Sequence, residues 1–186
     1  MLKRVIFLDR DGTLNVDHGY VHSREQWEWV PGALDACKQL QDAGYTLAVI
    51  TNQSGIAHGL YTEEAMHELH RYMRLELDQY GVHLAMIAFC PHARSQTDCD
   101  CRKPHIGMAK QIEAKIGEID YANSWTVGDK EADLLFGKTA GTKTALIRSK
   151  YWEEGKLTVQ PDMVVDSLEQ AAVSITSSQL GRGRSV

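Results

Sequence analysis

The chain has 186 residues, 43% hydrophobic and 24% charged, the proportions of a soluble globular protein with one domain-sized core. Lys and Arg number 20 against 25 Asp and Glu, and the resulting formal charge of −5 argues against the basic face of a general nucleic-acid binder. No apolar run reaches membrane-spanning length, and Met1-Leu2-Lys3-Arg4 leads straight into an apolar strand, too short a lead for a secretory signal. A cytoplasmic protein with no nucleic-acid or membrane partner is therefore expected, and no spare apolar helix demands more than a monomer.

Val5-Ile6-Phe7-Leu8 is a continuous apolar run of the kind buried on both faces of a parallel sheet, and it delivers Asp9 and Asp11 into a Gly12-Thr13 turn. Residues two apart on extended backbone leave on the same side, so both carboxylates can face one volume. Thr13 could tie the turn through a local hydrogen bond. Pro31-Gly32 precedes a helical pattern from Ala33 to Leu40, with Cys37 on its apolar face and Gly44 as a stop. A strand over Thr46–Ile50 ends in Thr51-Asn52-Gln53-Ser54-Gly55. Thr62 caps a helix that runs to about Tyr80, with Met66, Leu69, Met73, Leu77 and Tyr80 on a core-facing stripe. The spacing then predicts a strand at Leu84–Phe89, a helix at Met108–Ile116, a strand at Trp125–Val127 and a helix at Glu131–Ala140. Strands at Thr144–Ile147 and Met163–Val165 and a last helix from Ser167 complete the set. Strand and helix alternate throughout, which predicts an α/β fold: a Rossmann-like, doubly wound, mainly parallel sheet with helices on both faces. One loop and one helix fill the interval between Asp9 and Thr51, leaving no room for a large cap domain. We expect a single domain over 1–176, with 177–186 as a mobile tail.

Four strand ends thus offer Asp9 with Asp11, Thr51 with Asn52, Arg102 with Lys103, and Asp129 with Asp133. Carboxylates with a hard cation such as Mg²⁺ can clamp a phosphoryl group while a hydroxyl and an ammonium hold its other oxygens. The bland alternative is a structural carboxylate cluster, costly unless a cation compensates it. A second constellation is Cys90-Pro91-His92 with Cys99-Asp100-Cys101, three thiols and an imidazole suited to a closed, structural Zn²⁺ site in the loop 90–101. Free thiols or a redox pair are the alternatives. Because Cys101 is followed directly by Arg102 and Lys103, a metal-locked loop would fix both basic side chains. Trp27 and Trp29 are expected to pack the loop they sit in, and His18 and His22 to be exposed.

Asp9-Arg10-Asp11-Gly12-Thr13, Thr51, Lys103 and Gly128-Asp129-Lys130-Glu131-Ala132-Asp133 resemble, in order, the four motifs of the haloacid dehalogenase-like phosphohydrolases. The resemblance implies that Asp9 is the nucleophile, that Asp11 is general acid and then base, and that Thr51 and Lys103 balance charge on the phosphoryl group. It places Mg²⁺ on Asp9, Asp129 and the carbonyl of Asp11, with Asp133 as an accessory partner. Within that family, the Cys/His loop and Thr51-Asn52-Gln53 are similar to a small capless branch holding heptose bisphosphate phosphatases and histidinol-phosphate phosphatases. Asp17-His18-Gly19-Tyr20-Val21 looks like the loop of the former. That likeness implies a small-molecule sugar bisphosphate as substrate, met by Asp17, His18, Gly19, Tyr20, Thr51, Asn52, Gln53, Ser54, Arg102, Lys103 and Lys130. It further implies removal of the anomeric C1 phosphate. Histidinol phosphate as substrate, or a non-catalytic zinc-stabilised binding module, are the competing readings.

Overall fold

A computed structural model describes residues 2–96 and 98–180. Six strands, β1 (Val5–Leu8), β2 (Thr46–Asn52), β3 (Leu84–Cys90), β4 (Trp125–Gly128), β5 (Lys143–Ile147) and β6 (Met163–Val165), form one sheet in the order β3-β2-β1-β4-β5-β6. Every pairing is parallel. Between them lie α1 (Ala33–Asp42), α2 (Glu63–Gln79), α3 (Gly107–Ile116) and α4 (Glu131–Ala140), and α5 (Leu168–Leu180) closes the fold. This is the doubly wound arrangement the alternation predicted, and no large cap is inserted among the described residues.

The alternation of side chains in β1 divides the core. Ile6 and Leu8 join Leu47, Val49 and Val127 beneath α1 and α5, with Met73 and Leu77 of α2 at one end. Val5 and Phe7 join Ala48, Ile50 and Ala88 beneath α3 and Phe136 of α4. Asp9 continues the Val5 and Phe7 parity and so emerges on the α3–α4 side. The chain builds β1, β2 and β3 outward and then returns to place β4 on the other flank of β1. The crevice at the carboxyl ends of β1 and β4 is the topological switch point where such sheets bind ligands.

Two elements run past their expected ends. β2 continues through Thr51 and Asn52, which pair with Phe89 and Cys90, so both polar residues are held by the sheet and not by a free turn. α5 continues to Leu180, four residues into the stretch expected as a tail; residues 181–186 lie outside the described residues. Thr62 caps α2 as predicted, its Oγ1 accepting from the Ala65 amide at 3.2 Å. Met66, Leu69, Met73 and Leu77 are buried. Tyr80 corrects the expected stripe: it falls just beyond the helix, 44% exposed, where its hydroxyl can donate to Asp35. Cys37 is fully buried.

Candidate active site

Asp9 is fixed from both sides of its peptide. Its amide donates to Val127 O at 2.9 Å, and its Oδ1 accepts from the Arg10 amide and from Lys103 Nζ, each at 2.8 Å. Lys103 is buried, and its ammonium also donates to Ile50 O at 3.0 Å and Asp133 Oδ1 at 2.5 Å. Burial opposes the charge on Lys103, but the carboxylates of Asp133 and Asp9 outweigh it and hold the pKa above the ordinary lysine value. Asn52 clamps the Lys103 backbone, accepting from its amide at 3.0 Å and donating to its carbonyl at 3.3 Å. Asp133, at the start of α4, has both oxygens engaged, since Oδ2 accepts from the Lys130 amide at 3.0 Å. It therefore serves as the partner of Lys103 and the cap of α4.

The second ammonium marks where the acids converge. Lys130 Nζ lies 3.0 Å from Asp129 Oδ1, 3.2 Å from the Asp11 carbonyl and 3.9 Å from Asp9 Oδ2. These three oxygens are the set that the motif resemblance assigned to Mg²⁺, and hard oxygen donors converging on one positive charge fit such an ion. Asp129 registers the crowding: burial and then the Asp9 carboxylate push its pKa up to about 7. Burial likewise disfavours charge on Lys130, yet Asp9, Asp129, Asp133 and Asp17 together raise its pKa. Gly12 makes the approach possible. Its φ is +86°, and a Cβ there would stand 2.3 Å from Asp129 Oδ2.

The side chain of Asp11 turns away from this point. Its Oδ1 accepts from Arg10 Nη2 at 2.8 Å and Asn15 Nδ2 at 3.1 Å, and its Oδ2 from Gln53 Nε2 at 3.0 Å. Its carboxylate is thus separate from the acidic triad of Asp9, Asp129 and Asp133. The turn is closed by backbone bonds to Arg10 O, while the buried Thr13 hydroxyl has no protein partner, so the tie expected from that hydroxyl is not made.

The expected substrate residues fall into two groups. Ser54, Asn52, Arg102, Lys103 and Lys130 line one cavity of about 760 Å³ with Asp9 and Asp11, large enough for a small phosphorylated sugar. Thr51 and Gln53 sit buried behind it. The Gln53 amide donates to Thr51 Oγ1 at 2.7 Å and accepts from Tyr61 Oη at 2.5 Å, so that side chain is spent on orienting its neighbours. Asp17 accepts from Lys130 Nζ at 3.3 Å, Tyr151 Oη at 2.8 Å and the Gly19 amide at 2.9 Å. Burial opposes that carboxylate's charge, but Lys130 and these donors hold its pKa low. His18 is exposed and paired with Glu28 at 2.8 Å. His22 is stacked on Tyr61, with ring centroids 4.8 Å apart. Tyr20 is 51% exposed on left-handed backbone, φ 51°, an uncommon conformation for a bulky residue. Trp27 and Trp29 meet edge to face at 5.0 Å and pack the loop.

Cys90, His92, Cys99 and Cys101 bring four ligand atoms within 4.8 Å of one another. Cys90 Sγ is 3.0 Å from Cys101 Sγ, and His92 Nδ1 lies 3.2 Å from Cys101 Sγ and 3.4 Å from Cys90 Sγ. Burial and the neighbouring Cys101 push the Cys90 thiol upward, a penalty that a cation among the sulfurs would reverse. Two thiols and an imidazole in mutual contact, with a third thiol in reach, fit a tetrahedral Zn²⁺ set. Arg102 Nη1 donates to His92 O at 3.0 Å, so one basic side chain is tied to this loop by a direct bond.

Sequence reasoning missed two residues that line the cavity, Tyr151, whose ring centroid lies 4.6 Å from Lys130 Nζ, and Arg94. It also passed over Arg10, which is fully buried and binds Asp11.

The profile described as polynucleotide kinase 3 phosphatase matches residues 4–150. The chain is 46% identical over 175 residues to the D-glycero-beta-D-manno-heptose-1,7-bisphosphate 7-phosphatase of Haemophilus ducreyi, covering 90% of this chain and 96% of that one. The chain belongs to the heptose 1,7-bisphosphate phosphatase family. The Escherichia coli K12 member is 40% identical over 182 residues, 94% of each chain. A crystal structure of the D,D-heptose 1,7-bisphosphate phosphatase from B. bronchiseptica, complexed with magnesium and phosphate, superposes with a TM-score of 0.84 at 32% identity. It covers 94% of this chain and 99% of that one. This family is a branch of the haloacid dehalogenase-like phosphatases, as the four motifs implied. One expectation is corrected: the curated relatives are named for release of the phosphate at C7, not C1. The motifs could not decide this, because a clamp that grips a phosphoryl group sees the same dianion at either end of a bisphosphate.

Proposed function

We propose that this chain is a Mg²⁺-dependent phosphatase acting on D-glycero-β-D-manno-heptose 1,7-bisphosphate, releasing the C7 phosphate and leaving the 1-phosphate. The observation that carries the reading is the convergence of Asp9, Asp129 and the Asp11 carbonyl on one cationic point while the Asp11 side chain faces elsewhere. Asp9, Asp129 and the Asp11 carbonyl would hold Mg²⁺, which when bound offsets charge on the phosphoryl group and aligns it with Asp9. The Asp9 carboxylate attacks phosphorus. The bond from phosphorus to the C7 oxygen breaks, and that oxygen leaves with the electron pair and takes the proton of Asp11. In the second half Asp11 removes a proton from water, whose oxygen attacks phosphorus, and the Asp9 carboxylate is returned as phosphate departs. Lys103 and the Thr51 hydroxyl oppose the charge that builds on the phosphoryl oxygens. Arg102 and Arg94, which line the same cavity, suit the unreacted phosphate.

In this reading Zn²⁺ on Cys90, His92, Cys99 and Cys101 has no part in the reaction and sets the position of Arg102. The protein works as a monomer of one domain in the cytoplasm. No described helix is long and apolar enough to cross a membrane. Side-by-side turnover of the heptose bisphosphate and histidinol phosphate tests the substrate class. Preference for histidinol phosphate overturns it, and phosphate release that survives Asp9→Asn overturns the nucleophile.

A further inference from the structure

Arg10 is the largest fully buried side chain among the described residues and carries a permanent positive charge. Its guanidinium spans three partners: Nη2 donates to Asp11 Oδ1 at 2.8 Å and to Val21 O at 2.6 Å, and Nη1 meets His70 Nε2 at 3.2 Å. Because a guanidinium only donates, His70 Nε2 must be the acceptor, so the ring is neutral with its proton on Nδ1. Burial, and then the adjacent Arg10, hold the His70 pKa well below the ordinary histidine value, which keeps that acceptor available. His70 comes from α2, on the buried stripe between Met66 and Met73. A helix far in sequence from the motif loop thereby braces the residue next to the nucleophile.

The consequence falls on Asp11. Its Oδ1 takes two donors, Arg10 and Asn15, whereas Oδ2 takes one, Gln53, itself held by Tyr61. A carboxyl proton is repelled from an oxygen already facing a guanidinium and an amide. We propose that Arg10, buttressed by His70, is a positioning residue that fixes the Asp11 rotamer and reserves Asp11 Oδ2 as the oxygen that passes the proton to the leaving group. This rests on the reading of Asp11 as general acid and base.

The test compares an alkyl phosphate, the heptose bisphosphate, with p-nitrophenyl phosphate, whose leaving group departs without a proton. Arg10→Lys keeps the charge but cannot span three acceptors. It is expected to lower kcat on the heptose bisphosphate by about 100-fold, within the range for general acid catalysis, with KM within about twofold. The first turnover of p-nitrophenyl phosphate, read as a burst of nitrophenolate, stays within a few-fold of wild type because only the later hydrolysis needs Asp11 as base. His70→Phe should show the same split more mildly, and His70→Gln, which retains an acceptor toward Arg10, should lose less than His70→Phe. The His70 pair carries the test if Arg10→Lys does not fold. Asp11→Asn in the same assay separates the two claims. If it lacks the split, the acid reading fails. If Asp11→Asn shows the split while the Arg10 and His70 variants lose equally on both substrates, or lose nothing, the positioning proposal is overturned.

Discussion

Replacing Lys103 with Met is the sharpest probe of how the site holds its charges. Two ammoniums, Lys103 and Lys130, face four carboxylates, Asp9, Asp17, Asp129 and Asp133, and the side chains of Lys103 and Asp133 are only 3% and 2% exposed. Methionine keeps the volume but leaves Asp133 and Asp9 without their shared cation. Breaking a buried ion pair from one side typically costs about 3–5 kcal/mol. For a chain of this size that corresponds to a fall in Tm of roughly 10 °C. Removing both partners, in Lys103→Met with Asp133→Leu, restores the balance to one ammonium facing three carboxylates, the same net charge as before. It still forfeits the Asp133 cap on the Lys130 amide, worth about 1 kcal/mol. Thermal melts without divalent metal should therefore place the double variant well above Lys103→Met and somewhat below wild type. Both variants should lose phosphatase activity by at least about 100-fold, because the phosphoryl group loses a fixed positive charge. A Lys103→Met protein within 1 °C of wild type, or a double variant no more stable than the single one, refutes the charge-balance argument.

The site makes further demands. The Asp129 pKa near 7, against an ordinary 3.8, means that the folded, metal-free chain binds a proton the unfolded chain has lost between those values, so its stability falls as pH rises across that window. Mg²⁺ must displace that proton, so its affinity should rise up to tenfold per pH unit from 5 to 7 and level off above; calorimetric titrations showing a flat profile would contradict the assignment of Asp129. Gly12→Ala should fold yet bind Mg²⁺ at least tenfold more weakly, since its Cβ would stand 2.3 Å from Asp129 Oδ2; unaltered affinity by the same titration would show that the turn can relax. Purified protein should contain one zinc per chain by elemental analysis, and Cys101→Ser should lose it, lower the Tm and raise KM more than it lowers kcat. No zinc in chelator-free preparations, or a variant of unchanged KM, would detach the Cys/His loop from Arg102.

The sheet was legible because its strands are short apolar runs ended by Gly or polar residues, and its helices carry clear periodicity and caps, Thr62 above all. The acids were legible because each lies at a strand end, where parallel sheets put their chemistry. What escaped were residues whose roles depend on distant chain. Arg10 reads as filler within its motif, and its burial follows only once α2 brings His70 beside it. A histidine at a core position of the Met66–Leu77 stripe was the one available signal, since a buried imidazole needs a partner. The resemblance implied a substrate contact for Gln53, but only the folded chain shows that its buried amide, just past the end of β2, faces Asp11, Thr51 and Tyr61. Tyr151 follows β5 in an irregular stretch with no periodicity to read, and only Lys130 and Asp17 give it meaning. The hydrolysed end was beyond any such reading, because the motif residues grip a phosphoryl group alike at either end of a bisphosphate.

Following the wild-type enzyme with Mg²⁺ and the β-anomer of heptose 1,7-bisphosphate by ³¹P NMR resolves the two ester signals separately. The C7 ester resonance should be lost as inorganic phosphate grows, while the anomeric phosphate signal persists. Loss of the anomeric signal first, or no turnover of this substrate, would contradict the proposed function.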